Sequence, residues 1–207
     1  MVKNGNKTIH VVLLLFVTAV LIWSVINPAK YSTWAMESVP AIVLLIIAAA
    51  TYNKFRLTTL SYITIVILAV IMFVGGHYTY SDVPLFNWIK DIYDLNRNHY
   101  DRFGHLLKGL FAIVIREILI RKTPLTIGPW LFAITISVAL AIASLYEIIE
   151  WLVSKITKGG KAAKDFLGTQ GDIWDTQWDM LLTLIGSLLA LLIFSKLHTN
   201  LLRKMGE

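Results

Sequence analysis

The sequence predicts an all-α integral membrane protein, a bundle of six transmembrane helices with a short interfacial helix between the third and the fourth. Of its 207 residues, 57% are hydrophobic and only 15% are charged, and the mean hydropathy is +0.67. Several apolar stretches approach the roughly 20 residues that a helix needs to cross a bilayer. Backbone groups in lipid must be paired internally, which excludes an open sheet.

Six stretches have the composition of membrane spans, at residues 9–26, 34–52, 57–76, 102–120, 129–154 and 174–196. The first is longer than the apolar core of a cleavable signal, and no clean cleavage site follows it, so we interpret it as an uncleaved anchor. Before the fourth span, Leu85, Trp88 and Ile92 fall at helical spacing, which is typical of a helix lying in the membrane interface. Residues 1–207 are predicted to form one domain.

Two lysines before the first span predict the orientation. The positive charges of the loops are divided almost evenly between the two sides, but the first helix usually dominates, and Lys3 and Lys7 precede it. We therefore place both termini in the cytoplasm. The segments GGHYTY, NHYDRFGH, YEIIEW and GDIWDTQWD then all lie on the extracytoplasmic side. The loop at residues 155–171, rich in Gly and Lys, is expected to be exposed.

Three aspartates stand where the sixth helix begins. Asp172, Asp175 and Asp179 are spaced i, i+3, i+7, so they share one helical face. Asp172 and Asp175 can be explained equally well as capping residues or as part of a site. Asp179 lies one turn deeper, where no capping rule applies and an ionisable side chain costs ~2.5–3.5 kcal/mol even on insertion scales. A functional role is therefore favoured for Asp179.

The fourth and fifth helices carry further ionisable pairs. Asp101 and His105 lie one turn apart, and Glu147 and Glu150 lie three residues apart. Two such carboxylates cannot both stay ionised in a dry place without a cation or a basic side chain between them. These four are the candidate catalytic residues, with His105 or a glutamate as general base. Glu117 and Arg121, at i, i+4, are assigned to structure.

The sequence alone does not identify a cofactor. Mixed carboxylate and imidazole ligands suit Zn, Mn or Fe, whereas carboxylates alone suit Mg or Ca. No common metalloprotease or di-iron bundle motif is present, so a divalent cation is permitted but not specified. The candidate metal ligands are Asp175, Asp179, Asp172 and His77, and the candidate residues of a substrate or polar pathway are Arg116, Tyr146 and Arg102.

A family resemblance lies in these same segments. The order GGHYTY, RNHYDRFGH, REI, YEIIEW and GDIWDTQWDM, at residues of about 77–190, resembles the YjdF-type family of bacterial inner-membrane proteins. The resemblance implies a multi-pass protein of the bacterial plasma membrane and gives no mechanism. More distantly, Asp101-Arg-Phe-Gly-His105 is similar to the D-[KR]-x-x-H motif of VanZ-like membrane proteins.

The later part of the VanZ-like pattern is only partly kept. Glu147, Asp175 and Gly186 match it, but Glu150 replaces Gln, Asp179 replaces Asn, and Leu182 replaces Gly. The additional acids argue against transferring VanZ-like behaviour and favour a cation or proton site.

Three functions follow from these residues. The first is an extracytoplasmic carboxylate and histidine site that binds or processes a lipid head group or envelope precursor. The second is a proton- or cation-coupled transporter, and the third is a structural or interaction protein. Membrane lipids are expected partners, and nucleic acid is not, because the net charge of +6 is spread over helix ends and no DNA-reading motif is present. A site confined to one leaflet favours the first function, whereas polar residues reaching Arg116 favour a pathway.

If the four segments meet, His105, Glu147 and Asp175 should belong to one cluster with neighbours within ~10 Å, because unpaired polar groups need partners.

The predicted sidedness can be measured because the chain contains no cysteine. Cysteines introduced at Ser81 and Thr157 should react with an impermeant thiol reagent added to intact cells, whereas a cysteine at Asn4 should not. Labelling at Asn4 alone would invert the topology.

Overall fold

The computed structural model describes residues 2–156 and 169–206, and residues 2–6 by their backbone alone. Thr157 and most of the predicted loop at residues 155–171 lie outside the described residues. In the described ranges the chain is helical and contains no strand. The α-helices are α1 (Val2–Val25), α2 (Tyr31–Thr51), α3 (Thr59–Tyr78), α4 (Pro84–Ile92), α5 (Tyr100–Lys108), α6 (Ala112–Lys122), α7 (Pro129–Ile156) and α8 (Asp175–Met205).

Among the described residues, five helices are long and apolar enough to cross a membrane: α1, α2, α3, α7 and α8. They match five of the six predicted spans. α3 is the central helix, since 67% of its most apolar window is buried, compared with 17–28% for the other four. Its side chains pack on α1, α2, α5 and α6.

The predicted fourth span, residues 102–120, is not one continuous α-helix. It is divided into α5, a 3₁₀ turn at Gly109–Phe111, and α6. The turn lies where Gly109 meets Gly186 of α8, and a Cβ at either glycine would approach backbone atoms of the other segment closer than 3.0 Å. The tighter 3₁₀ geometry changes the path of the chain at this contact. Together α5 and α6 extend roughly 35 Å, at about 1.5 Å per residue.

The short helix predicted between the third and fourth spans is α4. None of its residues is buried, and its apolar side chains Leu85, Trp88 and Ile92 are 54–61% exposed. The ring of Phe86 lies 5.2 Å from that of Tyr100, so α4 rests against the start of α5. A largely exposed apolar face is the arrangement expected of a helix in the membrane interface.

The polar ends of the helices form two groups. The first group, called the Asp101 end, is where α3 and α7 terminate and α5 and α8 begin. The backbone N–H of Ala29 donates to the carbonyl of His77 at this end. At the Glu117 end, α3 begins and α6 and α8 end. His10 of α1 bonds Tyr52 and Thr59 at this second end. The chain therefore begins and ends at the Glu117 end.

The Gly109–Gly186 contact should not tolerate a side chain. We expect Gly186→Ala to lower the free energy of unfolding by about 1–3 kcal/mol, because the added methyl would overlap the carbonyl oxygen of Leu106. Gly128→Ala is the matched control, since nothing lies within 4 Å of its Cβ position. Thermal unfolding in detergent measures both, and equal melting temperatures would contradict the close packing.

Candidate functional site

A buried acidic cluster lies at the Asp101 end. Four helices contribute to it, and each of its six acidic residues is less than a tenth exposed. α2 contributes one, α5 one, and α7 and α8 two each. The members of this acidic cluster are Glu37, Asp101, Glu147, Glu150, Asp175 and Asp179.

His105 lies at the centre of the cluster and is 2% exposed. Its Nε2 is 3.6 Å from Oδ1 of Asp101 and 3.8 Å from Oε1 of Glu147. Nζ of Lys108 is 2.7 Å from the same nitrogen. On the other side of the ring, Nδ1 lies 3.4 Å from the hydroxyl of Thr183. One nitrogen of the imidazole, Nε2, therefore faces two carboxyl groups and one ammonium group.

The acids outnumber the bases that face them. Within the described ranges, the basic side chains that interact with the six acids are Lys108, Arg97 and Arg102. In the same ranges, one oxygen each of Glu147, Asp175 and Asp179 is buried without a hydrogen-bond partner. Buried carboxyls in excess of cations must either be protonated or share a bound cation. The cluster thus has more acids than cations, although the hydroxyl groups of Tyr80 and Tyr146 beside it are also buried without a hydrogen-bond partner among the described residues.

The aspartates at the start of α8 are held by arginines. Asp175 forms a buried ion pair with Arg97, and Asp172 pairs with Arg102 and lies 3.8 Å from Arg97. The backbone N–H of Trp174 donates to Asp172 and, with the two guanidiniums, holds the pKa of that carboxyl below its ordinary range. Trp174 precedes the first residue of α8, so Asp172 stabilises the turn before the helix.

Two predicted site residues lie outside the acidic cluster. His77 bonds the carbonyl of Ser24 at 3.1 Å, and its ring lies 4.3 Å from that of Trp23, so its contacts are with α1. Arg116 is at the Glu117 end, where it contacts His198 and Thr199 at 2.8 and 2.9 Å. The other predicted residues gather at the Asp101 end: Asp101, His105, Glu147, Glu150, Asp172, Asp175, Asp179, Arg102 and Tyr146.

One group of possible metal ligands among the described residues differs from the predicted set. Single ligand atoms of Asp101, His105 and Asp179 lie within 4.8 Å of one another, and all three residues are buried. Only Asp179 belongs to the set expected from the sequence. Asp175 is paired with Arg97, Asp172 with Arg102, and His77 lies against α1.

The Glu117 end has a second polar network of another character. Glu117 is fully buried and accepts hydrogen bonds from the backbone and hydroxyl of Thr58 and from the hydroxyl of Ser61. It also pairs with Arg121 at 3.0 Å and with His198 at 3.2 Å. Both carboxylate oxygens are satisfied, which is what a structural role requires.

Sequence reasoning missed Glu37. It is 3% exposed, lies on α2, and interacts electrostatically with Lys108 and Asp101. Gly76 of α3 lets α2 approach closely, since a Cβ there would lie 2.8 Å from Oγ of Ser38. The available signal was an isolated acid in an apolar span, the argument that selected Asp179.

An apolar cleft of about 160 Å³ begins at the cluster. Its polar lining consists of His105, Lys108, Tyr146 and Thr183, and Nζ of Lys108 lies 4.4 Å from the centre of the Tyr146 ring. The other lining residues are apolar and come from α2, α3, α6, α7 and the 3₁₀ turn: Pro40, Leu44, Leu68, Met72, Phe111, Ile115, Ala139, Ile142 and Ala143.

Comparison with known proteins gives a family and a location. Residues 9–200 match the family described as "Predicted membrane protein (DUF2238)". The inner membrane protein YjdF of Escherichia coli (strain K12) is 40% identical over 193 residues, which are 93% of this chain and 91% of that protein. No solved structure matches the chain. A multi-pass location in the inner membrane is consistent with the five apolar helices.

Two neighbouring aspartates should respond differently to loss of charge. Asp175→Asn leaves the buried Arg97 without its closest carboxylate and should cost about 3 kcal/mol, the lower end for buried pairs, because Asp172 stays 3.8 Å away. Asp172→Asn can still accept from Trp174 and should cost clearly less than Asp175→Asn, because its side chain is 26% exposed and that of Asp175 only 3%. Thermal unfolding compares them. A larger loss for Asp172→Asn would contradict the assigned pairs.

Proposed function

The chain belongs to the DUF2238 family of predicted membrane proteins, and we propose that it binds a polar lipid or lipid-linked envelope precursor at the Asp101 end. The observation that carries this proposal is the cleft, which joins apolar walls to the buried polar cluster. A ligand that fits such a site has a hydrocarbon chain and a polar head next to each other. Membrane lipids have this construction.

The cluster also indicates the chemistry of the head group. The unpaired oxygens of Glu147 and Asp179 require hydrogen-bond donors, which hydroxyl or amino groups of a head group supply. Lys108 stands at the junction of cluster and cleft, where an ammonium can bind a phosphate. A phosphate with neighbouring hydroxyl or amino groups therefore matches the site. If the head group is processed as well as bound, His105 or one of the glutamates of the cluster is the general base.

We infer that the Asp101 end faces the extracytoplasmic side. Both termini lie at the Glu117 end, which requires an even number of crossings, and α5 with α6 supplies the sixth. Lys3 and Lys7 precede the first crossing, and short positive segments favour the cytoplasm. α4, at the Asp101 end, would then lie in the outer interface.

The distribution of polar residues favours a one-sided site over a transport pathway. A layer of apolar side chains lies between His105 and Arg116, and it includes Ala112, Ile113 and Leu191. Below Thr183, the hydroxyl of Ser187 is satisfied by a backbone carbonyl of its own helix. Arg116 itself is paired at the Glu117 end. A proton or cation crossing the bundle would thus meet an interruption in the row of polar side chains.

Blocking the cleft tests the lipid proposal. Ala143 is 7% exposed and lines the cleft, so Ala143→Phe should fill it and reduce co-purified lipid at least about tenfold. Ala141→Phe, on the exposed side of the same helix, is the matched control and should retain lipid. Native mass spectrometry of detergent-purified protein measures the bound lipid.

Lys108→Met should also reduce retention, because it removes the head-group cation. Equal retention in wild type, Ala143→Phe and Lys108→Met, with all three folded, would overturn the lipid site. The cluster would then have only the structural role of joining helices.

A further inference from the structure

We propose that Asp101, His105 and Asp179 bind one divalent transition-metal ion, Mn²⁺ or Zn²⁺, with Glu147 as a fourth ligand. The three residues come from two helices, α5 and α8, and each is at most 8% exposed. This inference does not depend on a lipid occupying the cleft, because it concerns only the polar cluster.

The spacing of the ligand atoms suits an ion. The atoms offered by Asp101, His105 and Asp179 lie within 4.8 Å of one another. In a tetrahedral site with bonds of about 2.1 Å, neighbouring ligand atoms lie about 3.4 Å apart. The three side chains must therefore move towards one another by up to roughly 1.4 Å to close on one ion. Glu147 approaches the same imidazole nitrogen to 3.8 Å.

Two buried oxygens point independently to a missing positive partner. Oε1 of Glu147 and Oδ1 of Asp179 have no hydrogen-bond partner in the described part of the chain, although both residues are at least nine-tenths buried. Oε1 of Glu147 is the atom that approaches His105. Coordination to a cation satisfies a buried carboxylate oxygen without requiring a donor from the protein.

Lys108 determines how the ion must enter. Its Nζ is 2.7 Å from Nε2 of His105, in front of the nitrogen that a metal would use. Ammonium and metal therefore exclude each other at this nitrogen. The ring of Tyr146 lies 4.4 Å from Nζ and offers the displaced ammonium a cation–π contact beside the cleft. Binding of the ion would thus move the charge of Lys108 towards the cleft.

The donor set selects among ions. An imidazole with two or three carboxylates suits Mn, Fe or Zn, whereas Mg and Ca prefer oxygen ligands throughout. Mn²⁺ is the most direct probe, because its free aqueous form gives a six-line electron paramagnetic resonance signal that binding diminishes.

The test is a Mn²⁺ titration of the full chain in detergent, after removal of metals with a chelator. We expect one saturable site that Zn²⁺ displaces and that Mg²⁺ fills at least about tenfold more weakly. Asp179→Asn and Glu147→Gln should each weaken Mn²⁺ binding at least about tenfold. Asp91→Asn is the matched control and should bind as wild type does, since Asp91 is an exposed acid on α4.

Lys108→Met separates this inference from the lipid proposal, because it should tighten Mn²⁺ binding while weakening lipid retention. Ala143→Phe should affect lipid alone. Absence of saturable Mn²⁺ or Zn²⁺ binding, or unchanged Mn²⁺ binding in both Asp179→Asn and Glu147→Gln, would overturn the metal site. Unchanged affinity in Lys108→Met would overturn the competition between ammonium and ion.

Discussion

The close contact between α8 and the junction of α5 and α6 positions the rest of the site. Gly109 and Gly186 allow backbone to meet backbone at this point, which no larger residue permits. Because α5 then runs beside the first turns of α8, Asp101 and His105 of one helix come to face Asp179 of the other. The same contact coincides with the turn that divides the predicted fourth span. Packing and chemistry at this end thus depend on the same pair of glycines.

The two polar ends of the bundle differ in how completely their buried charged groups are paired. Around Glu117, backbone, hydroxyl, imidazole and guanidinium donors satisfy both carboxylate oxygens, so the network can hold α3, α6 and α8 together. Around His105, acids exceed bases, and individual oxygens are left without donors among the described residues. Structural stability does not require such an excess, and desolvation opposes it. The imbalance is therefore the feature that supports the proposed ligand over a role in helix packing alone.

The sequence predicted the helices well where the apolar stretches were long and regularly spaced. It predicted them less well where contacts between helices determine the structure. Five spans and the short helix α4 followed from apolar patterning alone. The division of residues 102–120 did not, because it depends on Gly186, far along the chain. Counting spans also predicted correctly that His105 and Glu147 would meet, but it could not show that His77 turns to α1. The direction of a side chain depends on the residues that pack against it in the fold. Residue spacing within one helix does not reveal these contacts.

Lys108 connects the two halves of the site. It is a cation at the boundary between an acidic cluster and an apolar cleft, and its contacts are an imidazole and an aromatic face. Neither contact is an ion pair, so the ammonium can shift between them, although buried acids such as Glu37 and Asp101 also attract it. The apolar layer around Ile113 and Leu191 confines such a movement to the Asp101 end. If the ion binds as proposed, positive charge would move between the cluster and the cleft within the Asp101 end alone.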